Sequence, residues 1–189
     1  FNYFMASATS NRKTLFADWV HPSSLGHVVM AVLWHNVLHP SSVLPLPFVL
    51  DGLTSAGVAA PNQTLVEGGD RFYLDDTFKA SSVPPALDGG RWIISSNADR
   101  ADASASYLTF NVDRPVKVYV AYDATASVLP GWMAGFVTTG LSIPTTNPVT
   151  PSLTLYVKSF ASGPVTLGGN LQAPAVGAKA NYAAIIVEN

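Results

Sequence analysis

The sequence predicts a mainly β protein, an antiparallel β-sandwich of jelly-roll or immunoglobulin-like type preceded by one N-terminal helix. Three observations carry this. From Gly68 onward, strand-like apolar runs alternate with turn signals. Two of those runs show the period-two alternation of half-buried strands. The one stretch with helical spacing of its aliphatic residues lies before them, at 25–38.

In chain order, Leu25, Val28, Val29, Val32 and Leu33 recur at helical spacing, Ser23 or Ser24 can cap the start, and Pro40 stops the run. Trp34 and Val37 extend apolar surface around the cylinder. This stripe needs a partner surface, since each wet aliphatic side chain forfeits on the order of 1.5–3 kcal/mol. The run is too short to span a bilayer and is interrupted by His27, His35 and Asn36. Residues 41–68 read as a linker with at most short strands, because Pro45, Pro47, Asp51-Gly52, Gly57 and Pro61 break them up. Within it, Asn62-Gln63-Thr64 is an N-glycosylation acceptor sequence, meaningful only in a eukaryotic source. Residues 69–189 form the predicted sandwich, with strands at Arg71–Leu74, Trp92–Ile94, Ser106–Val112, Val116–Tyr122, Leu153–Lys158, Pro164–Leu167 and Tyr182–Val187. Asp88-Gly89-Gly90, Asp113-Arg114-Pro115, Pro130-Gly131, Gly163-Pro164 and Gly168-Gly169-Asn170 separate most of them. Leu108, Phe110 and Val112 oppose Tyr107, Thr109 and Asn111, and Val116, Val118, Val120 and Tyr122 oppose Lys117, Tyr119 and Ala121.

Composition narrows the function classes. The 189 residues carry 48% hydrophobic and only 12% charged side chains, with a formal net charge of -2. Lysines and arginines are scattered, so there is no electrostatic footprint for nucleic acid or an anionic membrane, and neither is expected as a partner. Cysteine is absent, which excludes disulfides and thiolate metal sites. Low charge and abundant Ser, Thr, Ala, Gly and Pro fit a secreted, extracellular protein. The chain begins at Phe1 with no visible signal peptide, as expected of a processed fragment or an excised piece.

The residues closest to chemistry are Ala17-Asp18-Trp19-Val20-His21-Pro22-Ser23-Ser24-Leu25-Gly26-His27. A carboxylate three residues before an imidazole can accept its N–H and leave the other ring nitrogen free as a general base. The block resembles the last catalytic block of SGNH (GDSL-type) ester hydrolases. In that family it precedes the final helix and serves a serine near the enzyme's start. The resemblance implies that 1–40 is the end of such a domain, with Asp18 and His21 a remnant dyad. A base needs a nucleophile, however, and no Gly-Asp-Ser-like block, nucleophile elbow or oxyanion-hole block is present. Ser23 and Ser24 read as helix caps. A bare Asp-x-x-His also arises by chance, so the structural alternative is a plain loop entering a helix.

The order Val118-Tyr119-Val120-Ala121-Tyr122-Asp123, Leu129-Pro130-Gly131-Trp132-Met133, Leu155 to Phe160, Val165 to Asn170 and the closing run from Tyr182 to Val187 is similar to accessory β-sandwich modules of secreted polysaccharide-degrading enzymes. That resemblance implies an appended noncatalytic module whose partner is a polysaccharide or the parent catalytic domain. Carbohydrate modules stack flat aromatics on the apolar faces of pyranose rings. Trp132, on or beside a Pro-Gly loop, is the first candidate, with Tyr122, Asp123 and Trp92 as further carbohydrate-binding candidates. The alternative for Trp132 is a core plug that pins the loop. Tyr119 and Tyr156, in mid-strand, read as core or inter-sheet residues.

No cofactor is expected. Asp70, Asp75 and Asp76 are candidate ligands for a structural calcium ion, which takes several oxygen donors, though the EF-hand spacing is missing. His35 and His39 stand four residues apart without the Glu of a His-Glu-x-x-His zinc site. Three functional readings follow: a carbohydrate-binding accessory module, the smaller chain of a split or nicked esterase supplying Asp18 and His21, and a structural or adhesin module.

Overall fold

The computed structural model describes residues 24–39 and 48–189. Helix α1 spans Ser24–Leu38, as the spacing predicted, and a closing bond from His39 N to His35 O (2.8 Å) ends it just before Pro40. It lies beside the strand Asn62–Leu65. Val29 is buried and Val32 and Leu33 half-buried, whereas Trp34, Val37 and Leu38 are exposed.

Among the described residues nine strands follow: β1 Leu50–Ser55, β2 Asn62–Leu65, β3 Arg91–Ile94, β4 Leu108–Val112, β5 Val116–Asp123, β6 Val137–Pro144, β7 Ser152–Phe160, β8 Gly163–Leu167 and β9 Ala183–Glu188. They form two antiparallel sheets, a three-stranded one ordered β1-β4-β8 and a six-stranded one ordered β2-β3-β9-β5-β7-β6. The sandwich predicted from alternation is therefore the observed fold. Short 3-10 turns at Pro85–Leu87, Asn97–Ala101 and Gly131–Met133 interrupt the β pattern.

The alternation of β4 is that of a half-buried strand, while that of β5 sorts its residues between two buried faces rather than one buried and one wet. Leu108, Phe110, Val112, Val116, Val118, Val120 and Tyr122 meet Val165, Leu167, Tyr182, Ala184 and Ile186 between the sheets. The opposite face of the large sheet is covered as well. Tyr119, Ala121, Ala183, Ile185, Trp92, Leu153 and Leu155 pack under Phe72, Tyr73, Ala80 and Leu87, from the long connection between β2 and β3. Burial on both faces explains why β9 reads as a continuous apolar run rather than an alternating one.

Three departures from the predicted elements have local causes. Arg71–Leu74 is not a strand: only isolated bridges form, Arg71 with Lys79 and Tyr73 with Ser95. Phe72 and Tyr73 are both buried, their ring centroids 4.5 Å apart, as an irregular cover over the sheet allows and strand alternation does not. Two strands arise within the expected linker. The Asp51-Gly52 turn signal lies inside β1, where Gly52 takes a positive φ of 59° at a break in the register with β4. Strand β6 went unread because it is a largely exposed edge strand, with Gly140 at φ 73° in the gap between its paired residues Thr138 and Ser142.

Charge is sparingly buried. Arg91 is 3% exposed, donates from Nη2 to Phe48 O (2.8 Å) and lies 4.6 Å over the Phe48 ring. Burial pulls its guanidinium down to about 10, opposed by the charge of Asp113, so it stays ionised at neutral pH.

Candidate functional site

A six-stranded sheet spans five inter-strand gaps and a three-stranded sheet two, about 24 Å against about 10 Å at the usual strand spacing. The small sheet cannot cover the large one, and the inner face of β7 is left at the margin. Strand periodicity puts Tyr156, Lys158 and Phe160 on that face, beside Val120, Val118 and Val116 of β5. Tyr156 and Phe160 are half-buried against the inter-sheet core. The 3-10 turn at Gly131–Met133 brings Trp132 and Phe136 to the same margin, their centroids 5.7 Å apart and edge to face, while Phe136 stands 6.2 Å from Phe160. Lys158 Nζ lies 5.7 Å from the Phe136 centroid and 5.4 Å from that of Phe160. The result is a half-exposed aromatic strip with an ammonium group set into it.

Trp132 is held firmly. Its Nε1 donates to Gly169 O (2.9 Å), its backbone N to Gln172 Oε1 (3.2 Å), and its ring packs 5.2 Å from Tyr182. A Cβ on Gly168 would come within 2.8 Å of Trp132 Cγ, so the indole rests on a glycine. The ring pins its loop, the plug role weighed for it, and remains half-exposed at the strip's end.

The other three carbohydrate candidates do not join it on the surface. Trp92 is 1% exposed and belongs to the far face of the large sheet, near Phe72. Tyr122 is fully buried and donates to Asn170 O (2.6 Å), burial pushing its hydroxyl up to about 12. Asp123 is buried as a loop organiser, accepting from Thr125 N (2.8 Å), Thr125 Oγ1 (2.9 Å) and Lys179 N (2.6 Å). A stacking side chain needs an accessible face, which corrects the expectation for Trp92, Tyr122 and Asp123. Sequence reading placed Tyr119 and Tyr156 in the core or between the sheets. Tyr119 is buried on the covered outer face of the large sheet, and Tyr156 packs half-buried against the margin of the inter-sheet core. Phe136, Phe160 and Lys158 were missed. The every-second-residue spacing of Tyr156, Lys158 and Phe160 signals a shared face, but not that this face outruns the opposing sheet.

Asp18 and His21 lie outside the described residues. Among the described residues no group of three or more His, Asp or Glu is placed to hold a metal ion. Asp75 instead accepts from Ser96 Oγ (2.5 Å), Asn97 N (2.7 Å) and Ala98 N (2.9 Å) at the start of a 3-10 turn. Asp76 accepts from Thr77 N (2.6 Å) and Asn97 Nδ2 (3.1 Å). Asp70 offers its backbone carbonyl to Ala80 N (3.1 Å). His35, in the last turn of α1, and His39, just past its end, have ring centroids 4.9 Å apart and tilted by 39°.

Partial desolvation works to raise the Asp75 carboxyl, but the bonds from Ser96, Asn97 and Ala98 together hold it below its ordinary value of 3.8. A depressed carboxylate stabilises the fold at pH values above its unfolded value and loses that contribution as pH falls through the folded one. Asp75→Asn should therefore melt below the unsubstituted protein at pH 7, and the gap should narrow progressively below about pH 4. Thermal unfolding at several pH values checks this; a gap constant from pH 7 to pH 2 refutes it.

No protein-family model and no curated protein matches the sequence. Among solved structures, the chain is similar to a β-glucuronidase from glycoside hydrolase family 2, with a TM-score of 0.64 and 16% identity over 72% of this chain and 14% of that one. A GH138 enzyme targeting pectin rhamnogalacturonan II aligns at a TM-score of 0.48 and 11% identity, over 87% of this chain and 20% of that one. The chain thus spans a small part of each enzyme's length. The first likeness shows the fold, a sandwich also found within a much longer glycoside hydrolase.

Proposed function

We propose that this chain supplies a noncatalytic carbohydrate-binding β-sandwich that holds a polysaccharide near a catalytic domain. The observation that carries this reading is the half-exposed strip of Trp132, Phe136, Tyr156 and Phe160 on one uncovered margin of the large sheet. Aromatic side chains that are rigidly seated yet accessible on one side suit the C–H faces of pyranose rings. A β-glucuronidase from glycoside hydrolase family 2 contains the same fold, which is compatible with a carbohydrate-related setting.

The test is retention of the full chain on a panel of plant, algal and bacterial polysaccharides. Phe136→Ala should weaken retention roughly three- to tenfold, the worth of one aromatic contact. Absence of retention across the panel would reduce the module to a structural role.

For the parent enzyme, an SGNH-type ester hydrolase is the reading that the Asp18 to His27 block supports, and secretion the one that the low charge supports. Among the described residues no helix is long and apolar enough to cross a membrane.

A further inference from the structure

Resting on that carbohydrate-binding reading, we propose that the ligand is an anionic polysaccharide, with Lys158 Nζ as the cation that pairs with its carboxylate or sulfate groups. The half-buried Lys158 makes no ion pair with any described residue. The carboxylates of Asp113 and Glu188 are both engaged by Arg114, at 3.1 and 3.0 Å. Asp123 is turned to Thr125 and the Lys179 backbone. The loop passes close by at Gly135, where a Cβ would stand in ordinary contact with the lysine, 3.6 Å from Nζ. The positive charge is therefore framed by two aromatic rings and lacks a described counter-charge, in a chain whose net charge is -2.

This arrangement selects among sugars. A neutral polysaccharide lying along the strip would strip water from the ammonium and return only hydroxyl contacts. An acidic one replaces that water with a charge-assisted hydrogen bond, about twice as strong as a neutral one. Specificity follows from the penalty on the wrong ligand as much as from the gain on the right one. Carboxylated and sulfated sugars share the required chemistry, and separate arms of the experiment distinguish them.

The experiment measures binding of the full chain to polygalacturonate, dextran sulfate, galactan and unmodified dextran, by affinity electrophoresis and calorimetry. The variants are Lys158→Met, which keeps an apolar stem against the rings, and Lys158→Arg, which keeps the charge. The expected result is binding to one or both anionic polymers that falls at least tenfold in Lys158→Met, stays within about threefold in Lys158→Arg, and weakens with added salt. The anionic arm that is retained names the group recognised. Equal binding of neutral and anionic polymers, unchanged in Lys158→Met, overturns this inference and leaves the carbohydrate module standing. Absence of binding to all four overturns the inference; absence across the wider panel overturns the module as well. Matched thermal unfolding of the variants guards against misfolding, and the salt dependence of the unsubstituted protein tests the charge without any variant.

Discussion

Asn181→Leu is expected to lower stability by about 3 kcal/mol, a fall in Tm of roughly 6–12 °C for a chain of this size. Asn181 is fully buried at the entry to β9, and every polar group of its side chain is used. Nδ2 donates to Ser96 O (2.9 Å) and Tyr107 Oη (3.0 Å), and Oδ1 accepts from Tyr182 N (2.9 Å). Its backbone continues the network, donating to Asn97 Oδ1 (2.9 Å) and accepting from the Tyr73 hydroxyl. Leucine keeps the branched outline but is bulkier and offers no polar atom, so some overpacking adds to the lost hydrogen bonds. What remains is a buried Ser96 carbonyl and a buried Tyr182 N–H without partners, each costing about 1–3 kcal/mol. Differential scanning calorimetry checks the size; a Tm within about 2 °C of the parent would show that water reaches these groups.

Gly169→Ala should be as damaging for a different reason. A Cβ at this buried position would lie 2.5 Å from Asp102 O and 2.7 Å from Asp102 C, both main-chain atoms that cannot swing aside. Separating the two segments breaks Gly169 N to Ser104 O (2.8 Å) and Leu171 N to Asp102 O (2.7 Å). It also moves the carbonyl that anchors Trp132 Nε1. Overpacking of this kind costs on the order of 3 kcal/mol, and a red shift of tryptophan emission should accompany the lower Tm. Gly68→Ala is the control. Its Cβ would meet only Ser82 Cα at 3.8 Å, an ordinary contact, so its Tm should stay near the parent's. Equal effects in the two variants would refute the steric account.

Legibility in the sequence follows burial symmetry. Strand β4 was readable because one face meets the other sheet and the other is wetter, whereas β5, buried on both faces apart from Lys117, was readable from its run of valines and tyrosines. Helix α1 was readable because its aliphatic spacing and Pro40 are both local signals. Strand β6 left little trace because most of its residues face water. Phe72 and Tyr73 misled because a cover loop buries neighbouring aromatics as well as a strand does. Among the site candidates, Trp132, read from its Pro-Gly loop, is half-exposed, whereas Tyr122 and Trp92, chosen by residue type, are buried in the core.

The sequence alone determined the two-sheet class, the helix at Ser24–Leu38 and which residues of β4 and β5 enter the inter-sheet core, because these depend on spacing between neighbours in the chain. Only the tertiary structure decided which face stays wet. Coverage depends on how many strands each sheet recruits, and that count joins residues as distant as β1 and β8. Six strands over three leave the margin where Lys158 sits among aromatic rings, a placement that no local pattern encodes.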